Sequence, residues 1–570
     1  MADREPRRAA PVLESLQRHA RDTPDAIAFT FLREDGREES LSFGGLAARV
    51  DALSGALAAL AGPGERAMLL YPPGLGFVAA FFACLRAGLV AVPAPLPRKH
   101  GKRQFAALLR DAAPALVLST RETASQLAPM LERQLDGREA CLVCTDGFEA
   151  DYAAPGVART ALAFIQYTSG STSAPRGVEV SHANLAANVE AIGAAFGFHR
   201  GSVMVSWLPP FHDMGLVGSI VAPAVLGFRS VLMAPATFLR QPLRWVEAIA
   251  GYGATCAGAP DFAWDLCARR YQAGPRPPLD LSRLELAYNG AEPVRAATLR
   301  RVAAAFAGCG LRPEALFACY GLAEHTLLVS AGPRGRAPRV LGVSKARLEA
   351  GQVREAGADD PDARELVSCG PPAPGVTVLA VDPDSRRPAG AGRVGEIWLA
   401  GDSVARGYHG AREEREQQRV AAFGARLEDG GGPWLRTGDL GFVREGELYV
   451  TGRLKDLVIV NGRNIYPQDV EALVEETAAF LEPNRCAAFA LEEGGRERLA
   501  VVLEADRHLL RVARRGCAPP SRASSASRSA CSPSCGRAVS RARPAASCGA
   551  RPARRWRSKA RSISCMPRAN

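Results

Sequence analysis

The 570-residue sequence offers little that reads as a membrane span. The best run, Gly76 to Leu96, is broken by Arg86 and Pro93, and Leu216 to Phe228 is too short, so both read as buried core. The N-terminus, MADREPRRAAPVLESLQ, has charge but no apolar core ahead of a small-residue cleavage site, which argues against a secretory signal and makes the cytoplasm the expected location. There is no P-loop, because the Gly101-Lys102 pair runs into Arg103. Gly74-x-Gly76-x-x-Ala79 has no acidic residue about 20 positions on, so a dinucleotide fingerprint yields to a plain strand-to-helix turn. Gly401 to Ala405 lacks the closing glycine of a nucleophile elbow. The one CxxC, Cys141 to Cys144, encloses apolar residues and has no second pair at finger-like spacing, so it reads as a buried strand rather than a zinc site. No fixed-period repeat is present.

Acidic residues are also missing from one region. From Arg507 to Asn570 there are 15 Arg, one Lys and no Asp or Glu, so the formal charge of +12 belongs to the tail and residues 1–506 carry about −4. Five of the 14 cysteines fall in the same segment. This confines any nucleic-acid or acidic-surface binding to the tail. The body, in a chain with 47% hydrophobic and 23% charged residues, has the makings of a large globular enzyme of several units.

What is there begins with a rhythm. RAMLLY, GFVAAFFACLRAG, VAVPA, FAALLRDAA and LVLST alternate short apolar runs with amphipathic ones, which predicts a mostly parallel sheet covered by helices. Helices are expected at Ala183 to Phe196 and Leu243 to Gly251. From Val376, VTVLAVDPDSRRPAGAGRVGEIWLAG predicts two strands around a turn at Asp382 to Gly392, hence a β subdomain. A small domain is expected from Lys455.

Within this frame, YTSGSTSAPRGV (Tyr167 to Val178) packs hydroxyls and glycines between a strand end at Phe164 to Tyr167 and a helix capped by Ser181. Backbone N–H groups and hydroxyls in such a loop can hold phosphate oxygens, with Gly170 and Gly177 permitting close approach and Arg176 adding charge. Alone, it reads equally well as a Ser/Thr-rich linker.

It is followed in order by WLPPFHDMG (Trp207 to Gly215), NGAEP (Asn289 to Pro293), YGLAE (Tyr320 to Glu324), RTGDLG (Arg436 to Gly441) and GRLKD (Gly452 to Asp456). This series resembles the adenylate-forming enzyme superfamily, and SWLPPFHDMGLVG, NGAEPVRAATL and CYGLAEHTLLVS make it most similar to the fatty acyl-AMP ligases, from about Val12 to Glu504. The resemblance implies that Thr168, Ser169, Gly170, Ser171, Thr172, Arg176 and Gly177 meet the phosphates of ATP. It places Gly290, Ala291, Glu292, Tyr320 and Gly321 about the adenine, and Asp439 and Arg453 about the ribose and phosphates. Glu324 would be the Mg²⁺-linked carboxylate, and His212, Met214 and Gly215 would lie beside the acyl carboxylate. Lys455 would be the hinge of the small domain. The longer connection between Ser330 and Ser368 looks like the insertion that restrains the small domain and disfavours CoA, which implies transfer to an acyl carrier protein or a polyketide synthase carrier domain. A variable surface loop is the plain alternative.

Two departures touch the chemistry. Ser173 stands where the family more often has Gly, and Arg176 where many relatives have Lys. A third is larger: the family's catalytic Lys, in a PKTxSGK-like segment, has no match after LAVVLEAD, and Lys559 in RSKARS is the only Lys there. A shifted reading frame near residue 507, a genuine basic tail and a degenerate enzyme are the competing explanations.

The expected architecture is α/β: an adenylate-forming fold with a large N-terminal domain (1–454) of layered α/β subdomains plus a β subdomain, an incomplete α+β domain (455–506) and a basic tail (507–570). The expected function is activation of a fatty acid as acyl adenylate with ATP and Mg²⁺, with an acyl-CoA synthetase or a catalytically impaired binder as alternatives.

Overall fold

A computed structural model describes residues 11–97, 102–135, 140–146, 160–168, 175–275, 277–357, 359–410, 416–460, 463–477, 485–493 and 496–504. All of these lie within one unit, Met1–Ala505. The basic tail and the hydroxyl-rich residues Ser169, Gly170, Ser171, Thr172 and Ser173 lie outside the described residues.

Two large sheets carry the chain. The first has six strands in the order Cys141–Cys144, Leu116–Ser119, Arg66–Leu69, Val90–Pro93, Leu162–Thr168, Arg176–Ser181. Its neighbours run parallel until the last pair, which is antiparallel. The βα rhythm therefore yields the parallel sheet expected from it. CLVC forms a strand, but at the sheet edge, so Cys141 is exposed rather than buried. The helix Leu75–Ala87, which carries much of the apolar run noted above, is almost wholly buried, and its Phe81 meets Phe164 of the sheet at 5.9 Å between rings.

The second sheet has eight strands: Leu328–Ala331, Leu316–Gly321, Leu286–Asn289, Cys256–Ala259, Val203–Ser206, Arg229–Met233, Ile27–Leu32 and Glu38–Ser42. The N-terminal hairpin thus joins strands some 200 residues away, with Phe29 opposite Ser230. The helix Phe43–Leu60 is long and apolar enough to cross a membrane by length and composition alone, and half of it is buried. Leu46, Val50, Leu53 and Leu57 turn into the core shared with Leu75–Ala87, which accounts for its composition.

A four-stranded antiparallel sheet follows, made of Thr377–Val381, Gly395–Ala400, Leu435–Arg444 and Glu447–Arg453. Its first pair is the hairpin expected from VTVLAVDPDSRRPAGAGRVGEIWLAG. A short 3-10 turn, Leu454–Asp456, leads to a hairpin (Val458–Val460 with Arg463–Ile465), the helix Pro467–Thr477 and a second hairpin (Cys486–Glu493 with Arg496–Leu503). Leu491, Val502 and Leu503 on that last hairpin are about half exposed.

Candidate active site

The strand Leu162–Thr168 precedes the hydroxyl-rich residues and Arg176–Ser181 follows them, with Thr168 paired to Arg176. Arg176 to Ser181 is therefore a strand, not the loop the sequence suggested, because Val178 and Val180 both bury against the core. Gly177 has a packing role there: a Cβ on it would lie 2.7 Å from Ile165 Cγ2. Ser181 caps the helix His182–Phe196 through Asn184, in a reciprocal capping box.

Thr168 and Arg176 open into a cleft of about 1600 Å³ that is also lined by His212, Met214, Ala291, Glu292, Tyr320, Gly321, Glu324, Asp439, Arg453 and Lys455. Gly177, Gly215 and Gly290 are not part of the wall. Gly290 lies behind it, where a Cβ would meet Cys319 Sγ at 2.7 Å. Gly215 lies under the histidine turn, where a Cβ would sit 2.1 Å from the Pro209 carbonyl oxygen. Those expected site residues that are described thus share one cavity or its supporting backbone.

At one end, Asp439 is nearly buried and joins two neighbours. Tyr320 Oη donates to Oδ2 at 2.6 Å and Arg453 Nε to Oδ1 at 2.8 Å. Burial pushes the Asp439 carboxyl up, and Arg453 and the Tyr320 hydroxyl work against that shift. The turn that presents it is braced by Glu396, a buried carboxylate that accepts from Arg436 Nε at 2.9 Å, Trp398 Nε1 at 3.0 Å and Gly438 N at 3.1 Å. Ala291 adopts φ +69°, and Glu292 Oε1 accepts from Phe262 N at 2.6 Å, so NGAEP is held as a rigid shelf.

The middle holds Glu324, whose Oε1 accepts from Tyr408 Oη at 2.7 Å. A Mg²⁺ that keeps water and phosphate oxygens needs only one or two protein carboxylates, so a lone Glu324 on the cleft wall fits the expected cation. Among the described residues there is no cluster of three or more His, Cys, Asp or Glu able to enclose a metal by itself.

At the other end, His212 Nδ1 lies 2.7 Å from Asp213 Oδ1, and the imidazole is 56% exposed. That hydrogen bond raises the His212 pKa above its ordinary value, against the opposing effect of burial. Asp213 also caps Met214 N, starting the π-helix Met214–Val221. The same cleft is also lined by Ile192, Phe196, Met204, Gly218 and Tyr288.

Three supports escaped the sequence reading. Glu396 and Tyr408 brace residues far away in the chain. Gln166, 2% exposed, donates through Nε2 to Phe211 O at 2.7 Å and so ties the phosphate-side strand to the histidine turn. Only Gln166 carried a local signal: a polar residue inside an apolar strand.

The fold is that of the adenylate-forming enzymes. Residues 16–409 match the family described as AMP-binding enzyme. The sequence is 40% identical over 493 residues to the medium-chain-fatty-acid–[acyl-carrier-protein] ligase JamA of Moorena producens, covering 84% of this chain and 83% of the relative. It is 38% identical over 518 residues to the long-chain-fatty-acid–AMP ligase FadD26 of Mycobacterium tuberculosis, covering 87% and 86%. The crystal structure of the fatty acyl-adenylate ligase from Legionella pneumophila, in complex with acyl adenylate and pyrophosphate, superposes with a TM-score of 0.75 at 36% identity, covering 89% of each chain. The chain belongs to the AMP-binding enzyme family, among its fatty acyl-AMP ligases.

Proposed function

We propose that this chain activates a fatty acid with ATP, releasing pyrophosphate, and passes the acyl group from the adenylate to a carrier-protein phosphopantetheine. The observation that carries this reading is one cleft whose wall combines the apolar side chains of Ile192, Phe196 and Met204 with His212 and the polar group of Thr168, Arg176, Glu324 and Asp439.

The reaction is in-line attack of a carboxylate oxygen on the α-phosphorus of ATP, with the bond to the bridging oxygen breaking as pyrophosphate leaves. Both reactants are anions, so positioning and charge compensation supply most of the rate. Asp439 accepts the ribose hydroxyls, and the shelf at Gly290, Ala291 and Glu292 supports the adenine beside Tyr320. Thr168 and Arg176, with the hydroxyl-rich residues Ser169 to Ser173 between them in the sequence, take the outer phosphates. His212, its charge favoured by Asp213, orients the incoming carboxylate while Met214 and those apolar side chains hold its chain. Mg²⁺ bound with the nucleotide would shield phosphate charge, held on the protein side by Glu324.

Transfer to a carrier rather than to CoA rests on the connection after Ser330. It contains the hairpin Val340–Ser344 with Ala363–Val367, and it touches the segment proposed as the small domain. Arg364 Nε meets Asp469 at 3.0 Å, and Glu349 pairs with Arg463. Lys455 lines the cleft between these parts, as a hinge would. The test is acyl transfer from preformed adenylate to equal concentrations of CoA and a phosphopantetheinylated carrier protein. Acylated carrier in excess over acyl-CoA is expected; preferential acyl-CoA formation would make the chain an acyl-CoA synthetase.

A further inference from the structure

Between the two charged groups assigned to the phosphates and the cation stands a residue that neither assignment uses. Tyr408 donates its hydroxyl to Glu324 Oε1 at 2.7 Å, and the Arg176 guanidinium lies over the same ring, 5.6 Å from its centroid. The ring is fixed from behind by an edge contact with Phe423 at 5.2 Å.

The backbone around Tyr408 is bound to both of the elements it separates. On the phosphate side it adds a short ladder to Arg176–Ser181: Arg406 N donates to Glu179 O and Glu179 N to Gly407 O, both at 2.9 Å, and His409 N donates to Gly177 O at 2.6 Å. His409 Nδ1 also meets Glu179 Oε1 at 2.9 Å, with both side chains mostly buried. On the other side, Ala405 N donates to Glu324 O at 2.9 Å, and Thr326 Oγ1 donates to Ser403 O at 2.8 Å. Asn184 Nδ2 holds Asp402 O and Val404 O at 2.7 and 2.8 Å. Residues 402–409 therefore form a strut between the strand Arg176–Ser181 and the turn that carries Glu324.

We propose that Tyr408 is a positioning residue for nucleotide and cation: it fixes one oxygen of Glu324, leaves the other for the metal, and interposes its ring so that Arg176 and Glu324 do not neutralise each other. An Arg–carboxylate pair at that place would consume both the cation meant for phosphate and the anion meant for Mg²⁺. The inference rests on the reading of Glu324 and Arg176 given above. Groups that orient a metal ligand from behind typically contribute about 10–100-fold to metal affinity.

The test uses the full chain and reads binding rather than turnover. ATP affinity is measured by calorimetry across a Mg²⁺ series for the wild type, Tyr408→Phe, Glu324→Gln and the double variant, with Mn²⁺ binding in the presence of ATP followed by electron paramagnetic resonance. Tyr408→Phe keeps the ring and is expected to raise the Mg²⁺ and Mn²⁺ half-saturation about tenfold or more, with no such effect once Glu324 is already Gln. A Tyr408→Phe protein that folds and matches the wild type in cation dependence overturns the proposal, as does an equal effect in both backgrounds. If Tyr408→Phe does not fold, Tyr408→Trp, which keeps a ring and a donor, must retain a half-saturation nearer the wild type than Tyr408→Leu does, or the proposal fails. A wild type that binds ATP without any response to Mg²⁺ would instead overturn the assignment of Glu324 and the inference with it.

Discussion

His212 and Asp439 show how the same fold places opposite demands on two ionisable groups at the ends of one cleft. Asp439 must accept hydrogen bonds as a carboxylate although burial opposes its charge, and Arg453 at 2.8 Å offsets part of that cost. His212 works in the other sense: Asp213 raises its pKa, so the imidazolium persists to higher pH than an ordinary histidine would allow. In the proposed role, that charge would attract the substrate carboxylate. Acyl affinity is therefore expected to hold below the His212 pKa and to weaken as pH rises through it. Asp213→Asn keeps an oxygen to cap Met214 but removes the negative charge, so the His212 titration, followed by NMR of the ring nitrogens, and the decline in acyl affinity should both move to lower pH. An unshifted titration would remove Asp213 as the cause. At this scale the sequence displayed those groups of the cleft wall that sit in contiguous motifs, such as His212, Tyr320, Glu324 and Asp439. It did not display Glu396 or Tyr408, because Glu396 braces a turn some 40 residues on and Tyr408 meets a carboxylate 84 residues back.

Among the elements, the turn after the strand Leu316–Gly321 shows how little freedom the backbone has. A Cβ on Gly321 would lie 2.0 Å from the Leu327 carbonyl oxygen, which already accepts from Leu322 N at 2.9 Å. Gly321→Ala must displace this turn, and Glu324 with it. The expected cost is about 1–3 kcal/mol in denaturant unfolding, with a drop in MgATP affinity; unchanged stability and affinity would show that the turn yields freely. Local patterns made many elements legible, among them the helix Leu243–Gly251, the capped helix His182–Phe196 and the hairpin Thr377–Val381 with Gly395–Ala400. Two features stayed hidden for physical reasons. The return strand Arg176–Ser181 looks like part of a polar loop until its partner, the strand Leu162–Thr168, is beside it. The strand Ile27–Leu32 pairs with Arg229–Met233, a long-range contact without any local signature.

On the scale of the whole molecule, the described body carries its ligand groups on two sheets and a β unit, while ion pairs join that body to the segment after Lys455. Arg364 is held between Asp469 at 3.0 Å and the Tyr466 ring at 4.7 Å, and Arg295 meets Glu475 at 2.9 Å. Removing one member of a mostly buried pair strands the other, at a cost of about 3 kcal/mol or more. Arg364→Ala is accordingly expected to loosen residues 455–477, read as faster proteolysis there, and to raise the ratio of acyl-CoA to acyl-carrier product. Identical cleavage and acceptor ratios would show that these contacts do not restrain the small domain. The motif order made the family legible from sequence alone; the contacts between the connection after Ser330 and the segment after Lys455 were not, because each joins residues about 100 or more apart.

The absence of a PKTxSGK-like lysine makes activity of this chain the most direct issue. The measurement is formation of acyl adenylate from labelled ATP with a panel of fatty acids, using the purified 570-residue chain beside Glu324→Ala. Adenylate and pyrophosphate from the wild type, lost in Glu324→Ala, are the expected result. A folded wild type that binds MgATP and yields no adenylate with any fatty acid would contradict it.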